Sequence, residues 1–184
     1  MGGKKSVFDS FSEDDIVLAF FPCIRFSSKI PTWLRGQAPQ QKNWTDAKKL
    51  EYSMKMHTEL SELYQLICKM AHIAIDKKIR MVIENPYDHA HYLTMYFPLK
   101  PGIIDKDRTK NGDHFKKPTQ YYFINTKPLN NLVFEPLEYV QQKWIKWQHV
   151  EDGVDRQTLR SMIHPQYASR FIRQYILEES EVKT

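Results

Sequence analysis

The chain holds only two cysteines, Cys23 and Cys68. It has no apolar run long enough to span a bilayer, no internal repeat and no low-complexity tract. Two thiols are too few for a disulfide framework, so both are expected to stay free in a reducing compartment. The lack of a spanning apolar run excludes a membrane helix, and no membrane partner is expected. Met1-Gly-Gly-Lys-Lys5 has no apolar stretch behind it to make a secretory signal. A soluble, cytoplasmic protein is therefore expected, and with no linker-like tract residues 1–184 read as a single domain.

What is present is material for a packed core. Hydrophobic residues make up 41% and aromatics 13% of 184 residues, too many core formers for a disordered chain. The formal charge of +5 permits an anionic partner such as nucleic acid without demanding one. Its distribution says more. Basic residues concentrate between Lys100 and Lys127 and return at Lys143, Lys146, Arg156, Arg160, Arg170 and Arg173.

The apolar run Ile16–Phe21 predicts a strand buried on both faces, which favours a parallel sheet. Pro31, Gly36 and Pro39 among polar residues predict a long mobile loop over 28–41, placed where a lid would be. Asn43 or Thr45 caps a long helix whose apolar positions Leu50, Met54, Leu60, Leu63, Tyr64, Ile67, Met70, Ala71 and Ala74 recur at helical spacing. Cys68 falls within that pattern and reads as core. The turn Asp76-Lys-Lys78 ends the helix, and Ile79–Ile83 makes a second buried strand closing on Glu84-Asn85-Pro86.

Strand, helix, strand in this order predicts a right-handed crossover. The loops after both strands then open on one edge of the sheet, so Cys23 and Glu84 share a crevice. Further on, Pro86 is expected to open a short helix through Tyr96. Strands are expected at 102–105 and 121–125, with a small one at 132–134. The basic segment Lys106 to Gln120 reads as an exposed loop, and Pro165 begins a helix with Ala168, Phe171, Ile172, Tyr175 and Ile176 on one face.

A cysteine in a loop after a buried strand is a candidate nucleophile when cations or backbone donors hold its thiolate, and Arg25 is the nearest cation. Cys23 alone reads equally as a structural thiol; Pro22 before it and Ser27 after it favour the loop reading. Glu84 beside the carboxamide of Asn85 is an unusual choice for a strand end, its bland reading being a charge partner for a helix N-terminus. His89 and His91 point to different faces if helical, which favours solvated or capping roles over a metal. Lys143-Trp-Ile-Lys-Trp147 mixes cations with stacking surfaces but reads better as packing. The exposed basic loop supplies the better phosphate contacts: Lys106, Arg108, Lys110, Lys116 and Lys117, with Gln120 beside them.

Together Phe21-Pro-Cys-Ile-Arg-Phe-Ser27 and Val82-Ile-Glu-Asn-Pro86 resemble the nucleophile and Glu-Asn-Val motifs of the DNA cytosine-5 methyltransferase family, in the expected order. Lys117-Pro-Thr-Gln-Tyr-Tyr-Phe-Ile124 lies where that family has a Gln-x-Arg motif, and Arg160-Ser-Met-Ile-His-Pro165 is similar to its C-terminal segment. The resemblance is to phage or prophage methylases. It implies a Rossmann-like α/β sheet, Cys23 attacking C6 of a flipped cytosine, Glu84 holding and protonating N3, S-adenosylmethionine as methyl donor and DNA as partner. Pro22, Arg25, Ser27 and Asn85 are the supporting residues.

The chain departs from the pattern at Ile24, Phe20-Phe21, Pro86 and Gln120-Tyr-Tyr122. The family's glycine-rich cofactor loop should precede the cysteine motif, and Gly2-Gly3 follows no strand. The expectation is a sheet incomplete in its N-terminal half, inactive alone, with an exposed apolar edge that takes a second subunit or a second copy. The alternative is a non-enzymatic nucleic-acid-binding or regulatory module built on the same fold. A cysteine hydrolase ranks last, since its base would have to be a histidine such as His57.

Overall fold

The computed structural model describes residues 7–12, 14–134, 136–138, 140, 158 and 161–178. Two compact units divide the chain: residues 1–102 with 120–127, and residues 103–119 with 128–184. Its strands are β1 (Ile16–Phe20), β2 (Arg80–Pro86), β3 (Ile103–Asp105) and β4 (Thr119–Ile124), and its helices α1 (Ile30–Leu34), α2 (Asp46–Asp76), α3 (Tyr92–Tyr96) and α4 (Pro165–Tyr175). The strands form one open sheet in the order β1-β2-β4-β3, so the fold is mixed α/β.

In the first unit β1 and β2 run parallel, Ile16 opposite Arg80 through Phe20 opposite Glu84. The parallel pair joined through α2 is the connection that the strand, helix, strand pattern predicts. The expected mainly parallel sheet is not what forms. β4 runs against β2, because Gln120 bonds the carbonyl of Pro86 at the end of β2 while Asn125 bonds the carbonyl of Ile79 before its start. A fully apolar strand carries a signal for burial on both faces and none for direction, which explains the difference.

Thr45 caps α2 by accepting from the Lys48 backbone N–H at 3.3 Å. The helix stops where Lys78 takes a left-handed conformation (φ 55°) and the Ile79 N–H reaches back to the Ala74 carbonyl at 2.9 Å. Its inward face buries Leu60, Ile67, Ala71 and Ala74 against Ala19, Met81 and Ile83 of the sheet, with Phe26, Leu93, Phe97 and Tyr122 completing the core. Cys68 packs against the same core, half-buried. Burial of each large apolar side chain contributes about 1.5–3 kcal/mol, so this face, not helix propensity alone, holds α2 in place.

Leu50 and Met54, expected on the buried stripe, are exposed. The first turns of α2 pack on other elements: Tyr52 meets the rings of Trp33 and Trp44 at 5.9 and 5.2 Å, and Met56 is buried instead. The expected mobile loop over 28–41 is likewise corrected. It folds as α1 and a 3₁₀ turn, with Gly36 left-handed (φ 69°) after α1 and Gln41 fully buried. Gln41 accepts from the Ala38 N–H and donates to the Trp33 carbonyl, each at 3.1 Å. Pro31 and Gly36 here punctuate a short helix at its two ends, a use that composition alone does not separate from a loop.

Pro86 ends β2 and opens no helix. Asp88 closes a turn through its side chain to the Ala90 N–H (2.8 Å) and its carbonyl to the His91 N–H (3.0 Å), which delays α3 to Tyr92.

The second unit holds β3, a 3₁₀ turn at Arg108–Asn111 and α4. Tyr167, Phe171 and Tyr175 stack one turn apart along α4, so its inward face includes Tyr167, which the periodicity reading omits. Asn131 seals the end of that helix by donating to the Arg173 and Leu177 carbonyls at 2.9 and 2.7 Å. Residues 132–134 form no strand. Lys143 to Trp147 lies outside the described residues. No described helix is long and apolar enough to cross a membrane.

Candidate functional site

The site is built on the carboxyl ends of β1 and β2 in the first unit. Because the two strands are parallel and in register at Phe20 and Glu84, the chain leaving each opens on the same edge. After β1, the Phe26 N–H donates to the Cys23 carbonyl at 3.0 Å, closing a turn with Cys23 at its first position. Cys23 is half-buried, Pro22 exposed and Ser27 half-buried, its hydroxyl accepting from the Lys29 N–H at 3.3 Å.

The loops after the two strands are tied together. The Tyr92 N–H donates to the Phe26 carbonyl at 2.9 Å, and Ser28 Oγ donates to Asp88 at 3.4 Å. The Phe26 ring stacks on Tyr92 at 6.0 Å and lies 6.1 Å from His91. A fully buried Phe26 is thus the pivot on which both loops close.

Glu84 lies in the last turn of pleat before Pro86 and is 6% exposed. Asn85 is fully buried, and neither atom of its carboxamide has a hydrogen-bond partner among the described residues. Gln120, expected on an exposed loop, is buried behind this strand end. Its Nε2 donates to the Pro86 carbonyl and to Thr94, and its Oε1 accepts from the Tyr122 hydroxyl at 2.9 Å. Burial pushes the Tyr122 phenol well above its ordinary pKa, which keeps that donor protonated.

Arg25, expected beside the thiolate, is paired with Glu59 on α2. The cation therefore also anchors the turn to the long helix. His91 is 2% exposed with both ring nitrogens unpartnered among the described residues, and burial pulls its pKa down to about 4 against a weaker opposing pull from Asp88. It stands at the N-cap of α3, one of the expected roles, but its side chain makes no capping bond and is a neutral core group rather than a solvated one. His89 and His57 are exposed.

The basic segment of the second unit also differs from an exposed loop. Arg108 is fully buried, paired with Asp113 and stacked 4.7 Å over the Tyr167 ring. Asp105, Asp107 and Asp113 fold the segment by accepting from the backbone N–H groups of Asp107, Thr109 and His114. A guanidinium with no exposure is closed to a phosphate, so Arg108 leaves the set of expected contacts, as does Gln120. Lys106, Lys110 and Lys116 are exposed, Lys116 lying 3.8 Å from Asp107, and Lys117 is half-buried.

Sequence reasoning missed Glu59 and Phe20. The first sits 34 residues from its partner, with no local signal for the pairing. Phe20 had one: it is the last residue of an apolar run, at the position nearest the loop. No protein-family profile, curated protein or solved structure matches the chain.

Proposed function

We propose that this chain carries the base-binding and nucleophilic part of an enzyme resembling DNA cytosine-5 methyltransferases. Cys23 adds through sulfur to C6 of an extruded cytosine, and Glu84 holds N3. The observation that supports this most is the in-register parallel pair, Phe20 opposite Glu84, which brings the cysteine turn and the carboxyl to one sheet edge. Attack by the thiolate forms the S–C6 bond and moves the C5–C6 electron pair into the ring. A carboxyl hydrogen-bonded at N3 stabilises that charge in a site shielded from water.

S-adenosylmethionine is the methyl donor that the resemblance implies, and the described residues do not fit it. Glycine-rich turns hold such nucleosides after strand ends, but the left-handed glycines here are Gly36 and Gly112, and neither follows a strand. The donor site is assigned to a segment or subunit outside the described residues. The reading accordingly stops at the covalent adduct.

Pyrimidin-2-one tests it, because lacking the 4-amino group it accepts a thiol at C6 with no methyl donor. With duplex DNA carrying one such base, we expect a covalent adduct by mass spectrometry that is lost in Cys23→Ser and kept in Cys68→Ser. Equal adducts in both variants, or none in the parent protein, reject the reading. The second reading, a nucleic-acid-binding module without chemistry, is favoured by the pairing of Arg25 with Glu59, which engages the cation nearest the thiol in sequence with a carboxylate. DNA binding with no adduct would select it.

A further inference from the structure

We infer that Phe20 is the stacking surface for a flat heteroaromatic base whose edge is read by Glu84. The inference rests on the base-binding reading above and adds a residue for which the sequence reading had no role.

Register partners in parallel strands project to the same face, with their strands about 4.8 Å apart. Phe20 and Glu84 are such partners, yet their environments are opposite: Glu84 is 6% exposed and Phe20 is 56% exposed. Of the other phenylalanines of this unit, Phe8, Phe26 and Phe97 are buried and Phe11, Phe21 and Phe123 are half-buried, which leaves Phe20 the most exposed of them. A single exposed apolar side chain needs no explanation. This one differs by its place, at the carboxyl end of its strand and three residues before the half-buried thiol. Leu18 lies two residues earlier on the same face and Ile24 follows Cys23, both partly exposed, so the aromatic ring belongs to an apolar border beside a carboxyl.

That pairing selects the occupant. A ring offers its face to any planar π-system, and a carboxyl in the adjoining strand accepts or donates hydrogen bonds in the plane of what is stacked. A cytosine or another amino-substituted heteroaromatic base satisfies both groups at once. A purely apolar peptide segment would cover Leu18 and Phe20 but offer the carboxyl no hydrogen bond.

The experiment uses fluorescence anisotropy on a short single-stranded DNA with one cytosine and on the same strand with an abasic site there. Stacking of one base on one ring gives a factor of roughly 5 to 150 in affinity. The parent protein is expected to prefer the cytosine strand by a factor in that range, Phe20→Trp to keep the preference and Phe20→Ala to lose it. No preference in the parent protein, or a preference retained in Phe20→Ala, overturns the inference. So does a change in sedimentation of Phe20→Ala with the preference intact, since Phe20 then covers another polypeptide. The two readings fail separately. A Phe20-dependent preference without a Cys23 adduct keeps the stacking surface and removes the nucleophile, whereas an adduct with no dependence on Phe20 does the reverse.

Discussion

Gln120 donates through Nε2 to the carbonyl of Pro86 at 2.9 Å, joining β4 to the residue that ends β2. With Thr94 and the Tyr122 hydroxyl it completes a polar group of four residues from three elements, β2, α3 and β4, all in the first unit. The carboxyl of Glu84 is two residues from this anchor, so its position at the sheet edge depends on β4 as well as on β1.

Replacing Gln120 with Leu leaves the Pro86 carbonyl and the Tyr122 hydroxyl buried without their partner. Each such group costs about 1–3 kcal/mol. Urea unfolding of Gln120→Leu should show a loss of roughly 2–6 kcal/mol at unchanged slope, consistent with two groups of that cost. A loss below about 0.5 kcal/mol, the range of ordinary surface substitutions, would mean that the anchor is not needed.

His91 makes stability depend on pH. Its native pKa, about 4, lies below the unfolded value of 6.5 because burial disfavours the imidazolium. Between those two values the unfolded chain binds more protons than the native one, so stability rises with pH through this window. His91 therefore has no effect above pH 6.5 and destabilises progressively as pH falls toward 4, by on the order of 3 kcal/mol in all. Unfolding free energies measured from pH 7 to pH 4 should fall less steeply in His91→Leu than in the parent protein. Parallel curves would place the acid sensitivity elsewhere.

Arg108 and Asp113 form a buried ion pair in the second unit, with exposures of 0% and 1%. Removing one partner of such a pair strands the other charge, at a cost of about 3–5 kcal/mol. Arg108→Met should therefore destabilise strongly, while Lys106→Ala and Lys110→Ala, both on the surface, should leave stability within about 0.5 kcal/mol. If DNA binds this unit, the two lysine variants are the ones that lower the salt dependence of binding, by about one unit of slope each. An Arg108→Met protein that unfolds like the parent would remove the pair from the account of this fold.

The strand leading to Cys23, the capped helix α2 with its Asp76-Lys-Lys78 stop, and the strand ending at Glu84 were all legible in the sequence. Their signals are local: a run of apolar residues, a threonine ahead of a 3.6-residue period, a chain reversal. The meeting of the Cys23 and Glu84 loops followed from the parallel direction of two strands joined through a helix, which needs only the order of elements. Arg25 with Glu59, Gln120 with Pro86 and Arg108 with Asp113 were not legible. A polar or charged side chain reads as surface in sequence until the fold brings it a partner, and the first two pairs are separated by 34 residues each.

By itself, then, the sequence determined two buried strands, the long helix between them and the residues delivered to their ends, because periodicity and capping act within a few residues. Only the tertiary structure decided that β4 runs against β2, that Arg108 and Gln120 are interior, and that Phe20 stands exposed beside a buried Glu84. Strand direction and burial of polar groups depend on partners distant in the chain, and hydrogen-bond satisfaction among those partners decides both.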